Sequence, residues 1–189
     1  SNNSFGLTLM YKEALKIVVP VLIEIQPSQG AVLHYNAIWK GVIVPLIQQF
    51  NVQLLLADRW QSLALLHRAQ DELGIKAAVY SVKRRDFDLV KSKFESQEFV
   101  LPAIEAVISD DVAIMDYPSA FTGKPAAHLF FQCMTVRDMG KTVVKGDGYT
   151  DDLFRALVLG ASRAFDPKVI EYLATRRKTK RGPVALGSM

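Results

Sequence analysis

The sequence predicts an α/β fold in which a mixed sheet is flanked by helices. Two observations lead to this class. A strand, an amphipathic helix and a second strand follow one another between residues 52 and 82, which is the order of a parallel crossover. Two strand-like segments precede this unit and an Ala-rich helix comes near the end of the chain, so its 189 residues predict a single fold with a substantial core.

The N-terminal part begins with two predicted strands, Ser4–Met10 and Ile17–Ile25, the second rich in β-branched residues and broken by Pro20. Apolar residues at helical spacing predict an amphipathic helix over Ala37–Phe50, with Pro45 as a kink or an early stop. The crossover then comprises strand Val52–Ala57, a helix from about Ser62 to Leu73 closed by Gly74, and strand Ala77–Val82.

The C-terminal part alternates short elements with turns. Its predicted elements are helices starting in Asp86–Phe94 and Pro102–Ile108, a loop over Asp116–Pro125, a β-hairpin from His128–Val136 to Lys141–Lys145 around the turn Arg137–Gly140, and a last helix from about Thr150 to Phe165 that Thr150 caps and Pro167 ends.

Carboxylates in two places are the candidate functional residues. Asp151 and Asp152 open the last, otherwise apolar helix, and ionised acids at the edge of a core need a cation, a helix N-terminus or water. Asp58 follows the apolar run 52–57, which would deliver it to the C-terminal edge of a sheet, where ligands gather in α/β folds. A divalent metal is one explanation. The other is structural, with Asp58 capping the next helix and the two later acids as favourable N-terminal charges.

Several other classes of function lack their motif. Gly140-Lys141-Thr142 resembles the end of a phosphate-binding loop, but Thr135 stands where the first glycine is required. The single Cys133 has no Cys partner for a disulfide or metal site, which fits a reducing cytosol. No Gly-x-Ser-x-Gly elbow is present, and no apolar run approaches the roughly 18 residues of a membrane helix. The remaining isolated candidates are the scattered His34, His67 and His128.

The positive charge is concentrated in two clusters, within a net charge of +4. Lys83–Arg85 form one cluster, and the C-terminal tail carries the other, in Arg176, Arg177, Lys178, Lys180 and Arg181. Such clusters attract polyanions, although many are only solvated surfaces.

Three motifs of this chain resemble the C-terminal nuclease domain of tailed-bacteriophage large terminase subunits. They are Asn2–Gly6, Leu56–Ser62 with its Asp-Arg-Trp run, and Tyr149–Leu153 followed by Ala156 and Leu157. The order of elements is similar over nearly the whole chain. The resemblance implies a ribonuclease H-like nuclease domain over residues 1–175, with an additional β-hairpin, and a basic flexible tail over 176–189.

The resemblance also implies an activity, which is two-metal hydrolysis of phosphodiester bonds in concatemeric DNA during genome packaging. Asp58, Asp151 and Asp152 would be the catalytic ligands of two Mg²⁺ or Mn²⁺ ions about 3.5 to 4 Å apart. Its expected partners are double-stranded DNA, an ATPase motor domain, a portal and a small terminase subunit, in the cytoplasm of the infected bacterial host. The expected DNA-binding residues are Lys83, Arg84, Arg85, Lys141, Lys145, Arg176, Arg177 and Lys178.

The chain departs from the family's pattern in one respect. The resemblance places a first metal-binding aspartate upstream of Ser1, so we expect one ligand to be missing and metal to bind weakly, unless Glu24 or Asp147 substitutes. Two alternative functions stay open. One is another ribonuclease H-like nuclease of the resolvase or integrase type, and the other is a non-catalytic nucleic-acid-binding assembly module whose acids are structural.

Overall fold

The computed structural model of the chain describes residues 4–27, 32–58, 63–101, 104–109, 123–125, 127–146 and 151–172. It is a mixed α/β structure, as predicted. The strands are β1 Phe5–Glu13, β2 Lys16–Gln26, β3 Leu54–Ala57, β4 Lys76–Val79, β5 Phe99–Val100, β6 Ile104–Ser109, β7 Gly123–Pro125, β8 Arg137–Asp138 and β9 Val143–Val144. The helices are α1 Tyr35–Ile38, a π-helical turn Trp39–Ile43, α2 Val44–Phe50, α3 Leu63–Leu73, α4 Arg84–Glu95, α5 Ala127–Thr135 and α6 Asp152–Ala164.

Strand β2 is the centre of the main sheet, whose order is β1–β2–β6–β7. The antiparallel hairpin β1–β2 confirms the two predicted N-terminal strands, with Gly6 opposite Glu24. On its other side β2 pairs in parallel with β5 at one end and with β6 at the other. Strands β3 and β4 form a separate parallel pair, and β8 and β9 form a small antiparallel one.

Pro20 lies at an irregularity of β2 rather than at a break. Between the pairs Leu9–Val21 and Tyr11–Val18, strand β2 advances three residues while β1 advances two. One extra residue reverses which face each later side chain points to. Val19 therefore packs in the core under α4, α5 and α6, whereas Val21 packs in the core under α1, α2 and α3.

The predicted helix over Ala37–Phe50 is confirmed as one helical stretch, 35–50, with a π-helical turn in its middle. The π turn ends at Ile43, two residues before Pro45, which has no N–H to donate to the preceding turn. The wider turn lets the chain continue past the proline, so the buried face is kept: Ile38, Trp39, Val42, Ile43, Leu46 and Ile47 all lie in the core.

The predicted crossover is confirmed as β3–α3–β4, with the two strands parallel. Gly74 closes α3 in the left-handed conformation, at φ 60°, as its position predicted. Strand β4 stops at Val79, short of the predicted Val82, because the chain turns into α4. Asp86 stabilises this turn, since its carboxylate accepts a hydrogen bond from the Lys83 backbone N–H at 2.7 Å.

Two predictions for the C-terminal part were wrong. Pro102–Ile108 was predicted to start a helix, but Ile104–Ser109 is strand β6. A short apolar run is compatible with both the helical and the strand period, and β6 pairs with the side of β2 that β1 leaves open. His128–Val136 was predicted as a hairpin strand, but Ala127–Thr135 is helix α5. Leu129 and Gln132 are both buried, and residues three apart share a face in a helix but not in a strand.

The predicted turn 137–140 was also wrong, because it contains strand β8; the observed hairpin consists of β8 and β9, joined by a turn at residues 139–142. The last helix, α6, is confirmed from Asp152 to Ala164, and Asp151 occupies its N-cap position. The predicted cap Thr150, Asp147, the motif residues 1–3 and 59–62 and the tail 176–189 lie outside the described residues. Among the helices that are described, none is long and apolar enough to cross a membrane.

Candidate functional site

The candidate site centres on one serine hydroxyl that contacts two carboxyl groups. Ser4 Oγ lies 2.6 Å from Glu24 Oε1 and 2.5 Å from Asp152 Oδ2. Ser4 precedes β1, Glu24 lies on the central strand β2, and Asp152 opens α6. The antiparallel register of β1 and β2 and the packing of α6 on β1 therefore bring together residues that are 148 positions apart in sequence.

These two short contacts share one hydroxyl hydrogen, and both can be hydrogen bonds at once only when one of the acids is protonated. A hydroxyl has a single hydrogen, so Ser4 can donate to only one carboxylate at a time. Burial raises the pKa of Asp152, and the negative charges of Asp151 and Glu24 raise it further. The hydrogen bond from Ser4 and the positive charge of Lys145 act in the opposite direction. A protonated Asp152 can donate to Ser4 Oγ while Ser4 donates to Glu24, which satisfies both contacts.

Gln132 fixes the orientation of Glu24. Its Nε2 donates to Glu24 Oε2 at 3.0 Å, and its Oε1 accepts from the Phe154 backbone N–H at 3.0 Å. Phe154 is in the first turn of α6, where backbone N–H groups have no partner within the helix. The amide of Gln132 thus joins the buried acid of β2 to the start of α6, and both side chains are essentially inaccessible to solvent.

Asp151 is held differently from Asp152. Its carboxylate is 4% exposed and accepts a hydrogen bond from Arg155 Nε at 2.5 Å. Arg155 also donates to the Val143 carbonyl at 3.0 Å, and its guanidinium lies over the Phe87 ring. The two adjacent aspartates therefore have different partners. Asp151 forms an ion pair with Arg155, whereas Asp152 forms a carboxyl pair with Glu24.

Asp58 directly follows β3, as predicted, and is half-buried. Strand β3 lies against α6. Within the described ranges, however, no three His, Cys, Asp or Glu side chains converge in a group that could hold a metal ion. The predicted trio of Asp58, Asp151 and Asp152 is therefore not gathered into such a group in this structure.

Oxygen donors of the kind that Mg²⁺ and Mn²⁺ prefer are present at Ser4, Glu24 and Asp152. Two carboxyl groups and one hydroxyl fit one hard cation in kind, but two ions would require further ligands. The charge of Asp152 also acts on Tyr35. Burial raises the pKa of the Tyr35 hydroxyl, and the negative charge of Asp152 raises it further.

Three of the predicted DNA-binding residues meet at one cleft. Lys83, Arg84 and Lys141 line a cleft of about 290 Å³ together with Arg155. Lys145 is exposed, and its charge acts on Asp152. Arg85 instead lines a separate depression beside Asp86 and Arg163, and Arg176, Arg177 and Lys178 lie outside the described residues.

Glu24 is the functional candidate whose position sequence reasoning could not establish. Glu24 is flanked by isoleucines in a β-branched strand, and this pattern could have indicated a site, because a carboxyl group buried in such a strand requires a partner. Ser4 and Gln132 have no such signal, since their partners are distant in sequence. Comparison of the chain with protein-family models, curated proteins and solved structures finds no significant match.

Proposed function

We propose that this chain is a metal-dependent DNA endonuclease domain of the ribonuclease H-like class, of the kind found in the large terminase subunits of tailed bacteriophages. The single observation that carries the proposal is the pair of acids, buried Glu24 and partly buried Asp152, held on one hydroxyl. A protein seldom buries two carboxyl groups side by side, because each loses hydration and each disfavours ionisation of the other. A cation bound between them would remove both penalties.

The surroundings of the acid pair support a phosphodiester substrate. Arg155 lines a cleft together with the cationic residues Lys83, Arg84 and Lys141. Lys145 lies close enough to Asp152 for its charge to act on that carboxyl group. DNA phosphates are attracted by such cations, whereas the acids alone would repel them. Hydrolysis requires both functions, a surface that holds the polyanion and a negatively charged centre that holds the metal.

The residues of the chain have distinct roles in this proposal. Glu24 and Asp152 would hold Mg²⁺ or Mn²⁺, and Asp58, which does not converge with them here, would have to move toward the metal to act as a further ligand. Gln132 is a positioning residue, because it fixes Glu24 through Nε2 and the start of α6 through Oε1. Arg155 forms an ion pair with Asp151, which offsets part of the negative charge that Asp151 adds beside the pair. When bound, the metal would activate water and stabilise charge on the leaving oxygen.

The proposal is tested with Mn²⁺, followed by thermal unfolding and by nicking of supercoiled plasmid. Millimolar Mn²⁺ should raise the unfolding midpoint of the wild-type chain, by about 2.7 kcal/mol of stability at a concentration of 100 times Kd. Glu24→Gln and Asp152→Asn should abolish most of this rise and reduce nicking at least about tenfold, equivalent to 1.4 kcal/mol of barrier. Matched controls are Asp71→Asn and Glu95→Gln, which change exposed acids on α3 and α4.

The same experiment separates the alternatives. A midpoint that is indifferent to Mn²⁺, with DNA bound but not cut, would favour the non-catalytic assembly module. Metal-dependent cutting that prefers a four-way junction to linear duplex DNA would favour a resolvase-type nuclease. In the terminase-type proposal linear duplex DNA is cut, and the ATPase motor domain, the portal and the small subunit are the expected partners.

A further inference from the structure

The cleft beside Arg155 has walls from three elements. The segment entering α4 contributes Lys83 and Arg84, the turn between β8 and β9 contributes Lys141 and Thr142, and α6 contributes Arg155. Phe87 provides an apolar floor. The cavity has a volume of about 290 Å³, and both of its lysines are exposed.

Among the described residues, the lining contains four cationic side chains and no acidic one. Arg84 is paired with Asp88 and Asp138, and Arg155 with Asp151, so both guanidinium groups are held in place by carboxylates outside the cleft. Lys83 and Lys141 form no ion pair with any described residue. Two uncompensated ammonium groups around one cavity repel each other and are stabilised by an anion placed between them.

The cleft is also held in shape before any ligand binds. Arg84 bonds to Asp138 and donates to the Gly140 carbonyl at 2.9 Å, which ties one strand of the β8–β9 hairpin to α4. Arg155 donates to the Val143 carbonyl, which ties the other strand to α6. Two arginines thus fix the hairpin wall, so an anion would meet a preorganised site rather than two free side chains.

We infer that this cleft binds a phosphate group, with Lys83 and Lys141 as its ammonium donors, Thr142 as a hydroxyl donor and the two arginines as the fixed positive frame. Its position rests in part on the proposed function, because Arg155 also holds Asp151, the neighbour of Asp152. A phosphodiester seated in the cleft would lie against Arg155, three residues after Asp152 on the same helix. The same chemistry would recognise free inorganic phosphate, so the two sources have to be distinguished by experiment.

The test uses the double variant K83Q/K141Q and, as a matched control, Lys91→Gln, which changes an exposed lysine on α4 away from the cleft. One arm titrates inorganic phosphate against the unfolding midpoint at constant ionic strength. The other arm measures binding of a fluorescent duplex oligonucleotide between low and moderate salt without divalent ions. Circular dichroism spectra and midpoints in chloride should be the same for all three proteins, because the changed side chains are exposed.

Phosphate should raise the midpoint of the wild type and of Lys91→Gln but not of the double variant. For the oligonucleotide, the slope of log Kd against log salt should fall by about 2 in the double variant, since each phosphate contact releases close to one counterion. A phosphate effect without DNA binding would support the cleft as a site for free phosphate and count against the nuclease proposal. An unchanged slope and an unchanged phosphate response in K83Q/K141Q would overturn the cleft, whether or not the chain cuts DNA.

Discussion

The three residues Ser4, Glu24 and Asp152 form a site only as a group. Serine hydroxyls and carboxylates are ordinary surface groups, but here Ser4 and Glu24 are buried, Asp152 is partly buried, and the three share two short contacts. With one hydroxyl hydrogen between two acids, both contacts are hydrogen bonds only when the group carries an additional proton. A hard cation could replace that proton, and its affinity would then rise with pH because binding must displace the proton.

The raised pKa of Asp152 predicts how stability depends on pH. The ordinary aspartate pKa is about 3.9, and between this value and the higher folded-state pKa the folded chain binds more protons than the unfolded chain. The free energy of unfolding therefore falls as pH rises through this window. Asp152→Asn removes this loss while keeping a hydrogen-bonding partner for Ser4.

Asp152→Asn should therefore be more stable than the wild type near neutral pH, and the difference should shrink below pH about 4, where both states of the wild type are protonated. Urea unfolding in EDTA across this pH range measures the difference. Asp71→Asn, which changes an exposed acid on α3, is the control measured over the same range. A variant of Asp152 that is less stable than the wild type at every pH would show that the carboxyl group is compensated in the folded chain.

At the scale of elements, the site depends on how closely β1 approaches α6. A Cβ atom added at Gly6 would lie 2.2 Å from the Asp152 carbonyl oxygen and 2.7 Å from the Leu153 nitrogen, both backbone atoms. A Cβ atom at Gly160, near the other end of α6, would instead meet the flexible end of the Met10 side chain at 2.6 Å. The start of α6 is therefore locked against the strand beside Glu24, whereas its far end can adjust.

Gly6→Ala should therefore lower the free energy of unfolding by about 1 to 3 kcal/mol, the usual cost of inserting a methyl group into a packed region. Gly160→Ala should be nearly neutral, because Met10 can move and alanine improves helix propensity by up to about 1 kcal/mol. Differential scanning calorimetry should show a midpoint drop of about 2 to 4 °C per kcal/mol for Gly6→Ala alone. Equal losses in both variants would mean that the two contacts are equally rigid.

At the scale of the whole molecule, no backbone pairing joins the described strands of the crossover, β3 and β4, to those of the main sheet. Ile23–Ile25 in β2 pair with β1 on one side and with β6 on the other. Strand β3 pairs with β4 alone among the described strands, and it joins the molecule through the core it shares with β2 and the helices α1–α3. Side-chain packing rather than backbone pairing therefore holds the crossover in place.

This arrangement predicts unequal hydrogen exchange. Amides of 23–25 should exchange only on global unfolding, because each has a partner strand on either side. Alternate amides of 54–57 face away from β4 and should exchange at least about tenfold faster, a difference of 1.4 kcal/mol in opening free energy. Exchange followed by NMR tests this, with the buried face of α6 as a slow reference. Equal protection in both strands would show that β3 opens only together with the main sheet.

The linear pattern of residues was sufficient for the elements whose signals are local. Hydrophobic spacing predicted a helix over Ala37–Phe50, Gly74 predicted the end of α3, and an apolar run followed by an acid predicted Asp58 after β3. Each of these depends on residues a few positions apart, which is the range over which helix periods and turn conformations act. The charges at Lys83, Arg84 and Lys141 were also readable, although not that they share a cleft with Arg155.

The acid pair, by contrast, follows from contacts between distant segments. Ser4, Glu24, Gln132 and Asp152 come from four parts of the chain, and their convergence requires the register of β1 and β2, the helical state of α5 and the close approach at Gly6. The backbone of segment 127–135 can form its hydrogen bonds either within a helix or with a neighbouring strand. Packing against α6 selects the helix, because only that conformation buries Leu129 and Gln132 on one face. The partner of Glu24 is thus set by the free energy of packing, which no local pattern encodes.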